Sequence, residues 1–267
     1  MKQDLGEILG SGFNTWKENL SLAAPFVLDA IVTVILGLLL IIATLIPIVR
    51  TLMPFISNNQ GPGGRPTIPQ EMMSELVMPM LVENIGMIII AGMIFAVLSI
   101  FIRAFFVAGG IGMLKEASET GATILSDMID YGRGKVISLF IAKVMVVLIM
   151  LVGLLFMMLG PVGVIITVPY IIFFAIALSL VDYAVILDDL GPIDAIRKGI
   201  ELFMDNRKDV FLIFLVPAVT YFALLLILFN PVLLLIGIVV YLVVLMPIIT
   251  ALWTSFYLSR TNRSIEA

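Results

Sequence analysis

The sequence predicts an all-α polytopic membrane protein built as a bundle of six transmembrane helices. Hydrophobic residues make up 61% of the chain and charged residues only 13%. The apolar residues are grouped in six runs, each of about 20 residues or more, which is the length that crosses a ~30 Å hydrocarbon core as a helix. A spanning helix pairs its backbone polar groups internally where no water is available. We therefore predict one integral membrane domain over residues 1–267.

The six predicted spans are separated by short polar segments. They cover residues 24–49, 85–114, 136–159, 162–187, 210–229 and 232–259. Gly160-Pro161 divides the third span from the fourth, and Asn230-Pro231 divides the fifth from the sixth. Both dipeptides favour turns. Each of these two pairs of spans is therefore predicted to form a tight hairpin.

The outer loop, residues 50–84, is the longest connection between predicted spans. It begins with a stretch rich in Asn, Gly and Pro, and apolar residues then recur at helical spacing over residues 70–81. We expect a short surface helix there, limited by Pro79. It would form either a lid over an outer cavity, using its methionines, or a helix lying on the membrane interface.

The distribution of basic residues predicts the orientation. Eleven of the fifteen Lys and Arg residues fall in the termini and in the connections on one side, whereas the other side has only Arg50 and Arg65. By the positive-inside rule, the protein is predicted to lie in the cell membrane with both termini in the cytoplasm. An even number of spans agrees with this topology.

The composition excludes several chemistries. The chain has no cysteine and no histidine, which removes thiol nucleophiles, disulfides, thiolate or imidazole metal sites and imidazole acid–base catalysis. No phosphate-binding Gly-x-x-x-x-Gly-Lys loop occurs. We therefore predict no catalytic residue, cofactor or metal ligand.

Four ionisable residues lie inside the predicted spans: Asp29, Arg103, Lys143 and Asp182. Charged groups in hydrocarbon are costly unless they pair, reach water or extend to the headgroups. Two acids and two bases at similar depth are expected to neutralise one another as an intramembrane charge layer. The alternatives are long side chains that extend to the headgroups, or a transport or proton-relay site.

Three segments before spans one, three and five share a motif of an acid, an aliphatic residue two positions later and a glycine five positions later. The acid and glycine are Glu7 and Gly12, Asp127 and Gly132, and Asp194 and Gly199. The first and third segments continue with an aromatic residue and an asparagine at equal spacing, namely Trp16 with Asn19 and Phe203 with Asn206. The pattern predicts cytoplasmic interfacial amphipathic helices, each feeding a span, and a threefold internal repeat. Alternatively, any such helix before a span could show these features.

On these motifs, and on Gly109-Gly110-Ile111-Gly112-Met113, the chain resembles a prokaryotic, especially archaeal, family of multi-pass membrane proteins of unknown function. That family is akin to the membrane domain attached to some glycerophosphodiester phosphodiesterases. The resemblance implies a six-helix membrane module and supplies no active residues. The chain has no phosphodiesterase catalytic domain, so that activity is not expected.

The sequence favours a non-enzymatic membrane module for solute or lipid handling or for partner binding. A transporter or channel using the charge layer is the alternative, and its water path should reach the four charges. An intramembrane aspartyl hydrolase is a remote alternative, since Asp29 and Asp182 are the only intramembrane aspartates and the Gly-x-Gly-Asp signature is missing. The expected partners are the lipid bilayer and, additionally, other proteins or a second copy, but not nucleic acid.

Overall fold

The computed structural model describes residues 4–58, 70–227 and 230–261, and within these ranges the chain forms helices and no strand. The α-helices are α1 Leu5–Glu18, α2 Ala24–Asn58, α3 Gln70–Thr120, α4 Leu125–Leu155, α5 Pro161–Ala177, α6 Val181–Leu187, α7 Pro192–Asp205, α8 Arg207–Ile227, α9 Pro231–Val240 and α10 Met246–Arg260. Two 3₁₀ turns, Leu20–Ala23 and Phe156–Leu159, and one π-helical turn, Tyr241–Leu245, complete the described elements. The all-α prediction is confirmed.

The described helices include six that are long and apolar enough to cross a membrane. These spans 1 to 6 are Leu20–Pro47, Val82–Thr120, Leu125–Leu159, Pro161–Leu187, Arg207–Ile227 and Pro231–Arg260. Their number agrees with the prediction. Most bounds lie a few residues outside the predicted ones, because a helix continues through polar residues that flank an apolar run.

The two predicted hairpin turns have a clear local cause. Gly160 has a φ of 66°, which favours glycine, and Pro161 begins α5, where its missing N–H costs no hydrogen bond. Asn230 caps α9, since its side chain accepts hydrogen bonds from the N–H groups of Val232 and Leu233. Both dipeptides thus end one helix and start the next.

The chain divides into two compact units, and the second consists of residues Ile31–Ser99. It contains most of α2 and the first part of α3. Gly37 and Phe95 lie close enough for an added Cβ on the glycine to make an ordinary contact at 3.7 Å. Most large apolar side chains described in this unit are exposed, as expected for a helical pair surrounded by lipid.

The expectation of a separate surface helix at residues 70–81 is wrong. These residues are helical, but they continue without a break into span 2 as one helix, Gln70–Thr120, with Pro79 inside it. At 1.5 Å per residue the helix is about 77 Å long. The outer loop predicted at residues 50–84 is therefore shorter: residues 50–58 belong to α2 and residues 70–84 to α3, whereas residues 59–69 lie outside the described residues.

The first unit, Met1–Ala30 with Ile100–Ala267, has its core where the even-numbered spans end. Nearly every residue is buried in three stretches: 108–114 of span 2, 180–187 of span 4 and 249–259 of span 6. We call these three stretches and the helices packed on them the closed end. A helix that is buried on all sides is the centre of a bundle.

The segments that carry the repeated motif pack around this core. α1 and α7 are separate amphipathic helices, as predicted. The prediction of a separate helix is wrong for the second segment. Residues 127–132 form the first turns of α4 and continue directly into span 3. An asparagine follows α1 and α7, whereas no asparagine or proline lies between this segment and the apolar run that follows it.

Polar contacts tie the closed end together. Arg260 of α10 bonds Asp209 of α8 at 2.8 Å, and the Tyr257 hydroxyl donates to Asp188 at 2.6 Å. The ammonium of Lys135 donates to Asp189, and this hydrogen bond holds the pKa of the exposed Asp189 carboxyl below its usual value. Because the folded-state pKa is lowered, this contact stabilises the fold at neutral pH and is lost as the pH falls through that value.

Away from the closed end, the helices of this unit cover one another less. In α8 only Val210 and Ile213 are buried, and α9 has no buried residue. The exposed side chains there are overwhelmingly apolar. This part of the bundle therefore presents apolar faces to its surroundings.

Candidate functional site within the spans

Each of the six spans contributes one polar side chain to a connected group, which we call the polar belt. Its members are Asp29, Arg103, Lys143, Asp182, Tyr221 and Tyr241. Two direct bonds each join one pair of members. The other links are electrostatic: Asp29 interacts with Arg103 and with Lys143, and Arg103 interacts with Tyr241. Polar groups kept within apolar spans are candidates for function.

Lys143 and Asp182 form an ion pair in which Nζ lies 2.6 Å from Oδ2. Span 4 is interrupted between α5 and α6, and Asp182 lies in the first turn after this break, facing span 3. The side chains are 20% and 28% exposed, so the pair is largely but not fully covered. Asp182 is therefore bonded to a cation, and the arrangement differs from an aspartyl hydrolase dyad, in which two carboxyl groups share a proton.

The other two predicted members of the charge layer are not paired in this way. Among the described residues, neither Asp29 nor Arg103 has an oppositely charged group within 4.0 Å. The Oδ1 atom of Asp29 is buried and has no hydrogen-bond partner. Arg103 is exposed. The structure thus brings one pair of the four charges into direct contact, whereas Asp29 and Arg103 interact over more than ion-pair distance.

Two tyrosines complete the belt, and the sequence reasoning missed them. The Tyr241 hydroxyl donates to the Tyr221 hydroxyl at 2.7 Å, which joins spans 5 and 6. A phenol in hydrocarbon requires a hydrogen-bond partner. The available signal was a tyrosine in the middle of each of two apolar runs.

The repeated acids occupy equivalent positions at helix starts. Asp127 accepts a hydrogen bond from the backbone N–H of Ile124 at 2.9 Å, and Glu7 accepts one from Asp4 at 3.1 Å. Asp194 lies in the first turn of α7, at the same distance from its N-cap residue. An acid in the first turn satisfies a free N–H group and complements the helix dipole. Helix capping accounts for Asp127 and Glu7, and Asp194 has the same position relative to the helix dipole.

The repeated glycines lie at close helix contacts that follow a cyclic order. A Cβ on Gly12 would lie 3.0 Å from Leu252 of span 6, one on Gly132 would lie 2.7 Å from Phe105 of span 2, and one on Gly199 would lie 3.1 Å from Val181 of span 4. The second and third motif segments thus pack on the even-numbered span that precedes them in the chain, spans 2 and 4. The first motif segment packs on span 6.

The three contacted spans also present the same buried pattern. Counting from the contacted residue, the positions one before, three after and six after are buried in all three spans. They are Ala104, Ala108 and Ile111, then Leu180, Ala184 and Leu187, and then Ala251, Ser255 and Leu258. This i, i+4, i+7 spacing places one stripe of each helix against the core.

The repeated asparagines end α1 and α7 in the same way. The side-chain amide of Asn19 donates to the carbonyl of Thr15 at 3.2 Å, and that of Asn206 donates to Leu202 at 3.0 Å. Their φ angles are −128° and −130°. The aromatic residues before them differ, because Trp16 donates to the backbone of span 6 whereas Phe203 packs in the core.

A family model described as a domain of unknown function, DUF7847, matches residues 70–257, which is most of the chain. The match begins at the first residue of α3 and includes five of the six belt residues, all except Asp29. No curated protein and no solved structure matches the chain.

Proposed function

The chain belongs to the DUF7847 family, whose description names no function, and from its own residues we propose that it is a lipid-handling membrane module that binds an anionic amphiphile at the polar belt. The headgroup would contact Arg103 and the tyrosine hydroxyls, and the acyl chains would lie along the apolar faces beside them. No catalytic step is part of the proposal.

The observation that carries this proposal is the state of Arg103. It is a permanent cation inside span 2, its side chain is exposed, and no carboxylate within the described chain lies within 4.0 Å of it. An intramembrane cation requires a compensating anion or water. A lipid phosphate supplies that anion, and the adjacent hydroxyl pair of Tyr221 and Tyr241 supplies further polar contacts.

The packing of the first unit favours a ligand that enters from the bilayer. The closed end is filled with apolar side chains on the side that the basic residues predict to be cytoplasmic. Surface depressions of about 400 and 280 Å³ lie at residues 204–209 and along α2, and neither is lined by a belt residue. The belt side chains of Arg103 and Tyr221 are exposed on their helices.

Transport through the belt is the second candidate, and one observation favours it. Asp29 keeps a buried carboxylate oxygen without a hydrogen-bond donor, next to Arg103 and Lys143. A carboxyl group in that position could exchange a proton while a substrate passes. The resemblance to the membrane domain of some glycerophosphodiester phosphodiesterases rests on the sequence motifs alone and adds no activity to either candidate.

The proposal is tested by lipid binding to the full chain. Native mass spectrometry would compare phosphatidylglycerol with phosphatidylcholine for the wild type, Arg103→Gln and the control Arg133→Gln, which removes an exposed arginine outside the belt. We expect the wild type to prefer phosphatidylglycerol. Arg103→Gln should weaken that binding by about tenfold, the effect of one charge-assisted hydrogen bond, and Arg133→Gln should change it little.

Equal binding of both lipids by the wild type would contradict the proposal. An equal loss of phosphatidylglycerol binding in the two arginine variants would also contradict it, because Arg103 would then act only as one of many surface charges.

A further inference from the structure

Span 6 contains a wide helical turn at the level of the polar belt. Over Tyr241–Leu245 the helix is a π-helix, and the N–H of Met246 donates to the carbonyl of Tyr241, five residues earlier. Such turns insert one extra residue into an α-helix and are frequent at functional sites. Here the turn joins α9 to α10.

Pro247 is the second residue after the wide turn. It lies four residues after Val243 and has no N–H, so the carbonyl of Val243 loses its usual α-helical donor, and a proline ring would also clash with that carbonyl in a regular helix. A wider turn relieves the clash. It leaves a backbone acceptor within an apolar span that needs another donor.

The donor is the indole of Trp16 in α1. Its Nε1 lies 3.1 Å from the carbonyl oxygen of Val243, although the two residues are 227 positions apart in the chain. α1 is held beside span 6 by the close contact of Gly12 with Leu252, and the segment after it bonds the carbonyls of Gly121 and Thr123 through Asn19 and Ser21. α1 thus fits against the wide turn.

The other end of the same turn belongs to the polar belt. Tyr241 is the first residue of the turn, its hydroxyl donates to Tyr221, and Arg103 is near enough to act on it electrostatically. A change in the turn must therefore move a belt side chain. If the π-helical turn became a regular α-helical turn, Tyr241 and α9 would rotate by about 100° relative to α10. This is the rotation of one α-helical residue.

We propose that α1 is a latch that holds the wide turn of span 6 and thereby keeps Tyr241 on Tyr221 at the polar belt. When α1 is seated, Trp16 satisfies the free carbonyl of Val243. When α1 leaves, that carbonyl has no donor, and the turn rearranges and separates the two tyrosines. A ligand at the belt and the seating of α1 then favour each other, because coupling between two sites is reciprocal.

This inference concerns the regulation of the proposed lipid site and rests on that proposal for its purpose, but its geometry is tested independently. The full chain, labelled with fluorotyrosine, would be studied by ¹⁹F NMR in lipid nanodiscs. The six tyrosines would be assigned with single Tyr→Phe variants. Two variants unseat α1: Trp16→Phe removes the N–H donor and keeps an aromatic ring, and Gly12→Ala crowds Leu252.

The matched control is Gly10→Ala on the same helix, because a Cβ there meets no atom within 4 Å. We expect Trp16→Phe and Gly12→Ala to shift or broaden the resonances of Tyr221 and Tyr241 and to leave those of Tyr170 and Tyr183 in place. Gly10→Ala should change none of them. Phosphatidylglycerol binding should fall about fivefold in the two unseating variants, the effect of one lost hydrogen bond.

Unchanged Tyr221 and Tyr241 resonances in Trp16→Phe would overturn the latch, as would shifts of all six tyrosines together. Trp16→Phe keeps this test decisive if Gly12→Ala does not fold. A wild type that binds no phosphatidylglycerol would end the proposed function, whereas the tyrosine resonances would still decide whether α1 holds the turn.

Discussion

At the scale of single residues, the pair of Lys143 and Asp182 gives a direct prediction. Lys143→Met should leave Asp182 as a covered charge without a partner and destabilise the protein by about 3 kcal/mol, the lower end of the range for breaking a buried pair. Adding Asp182→Leu should restore most of the loss, since an apolar pair of similar size avoids the desolvation cost. Thermal unfolding in detergent measures both effects.

Asp29 provides the control for this pair. The coupling energy of a double-mutant cycle should be large for Lys143 with Asp182 and much smaller for Lys143 with Asp29→Leu. Equal coupling to the two aspartates would show that the ion pair is not specific, and an unaffected Lys143→Met variant would show that the lysine extends to solvent.

The sequence reasoning found four of the six belt residues, because charges inside apolar runs are conspicuous. It could not assign the partner of each charge, since that depends on how the helices rotate and on the break before Asp182 in span 4. The tyrosine pair was missed because a single phenol in an aliphatic run has no meaning until the facing helix is known. The mutual neutralisation of Asp29 and Arg103 stays a prediction.

At the scale of helices, the repeated glycines can be tested with neighbouring positions on α4. Gly132→Ala should destabilise the protein by about 1 to 3 kcal/mol, because its Cβ would lie 2.7 Å from the ring of Phe105. Gly134→Ala should instead be neutral or stabilising by up to about 1 kcal/mol, since its Cβ meets nothing within 4 Å and alanine favours a helix. Thermal unfolding of the two variants should move in opposite directions or differ clearly in size. Equal changes would argue against the glycine contact.

The number of spans and the two tight turns were predictable, because length, hydropathy and Gly-Pro or Asn-Pro dipeptides act locally. The continuity of residues 70–81 with span 2 was not, since a proline inside a helix and a helix end look alike in sequence. The same limit applies to residues 127–132, which continue into span 3. The hydrogen bond from Trp16 to the wide turn of span 6 joins residues that are far apart in the sequence, and local reasoning had no access to it.

At the scale of the whole molecule, the orientation can be measured without background from native thiols, because the chain has no cysteine. Single cysteines at Ser57, Thr120 and Asn262 would be treated with an impermeant thiol reagent on intact cells. Only Ser57→Cys should react, since the distribution of basic residues predicts that the other two positions are cytoplasmic. Labelling of Thr120→Cys or Asn262→Cys before the cells are opened would reverse the topology.

The contact of the first motif segment with the last span has a consequence for biosynthesis. α1 leaves the ribosome before the six spans, yet the surfaces that Gly12 and Trp16 contact belong to span 6, which is made after spans 1 to 5. Membrane insertion of spans 1 to 5 therefore proceeds with α1 undocked and its indole N–H without its final acceptor. The docking of α1 is a late step of folding, and it reports that the remainder of the bundle has been inserted.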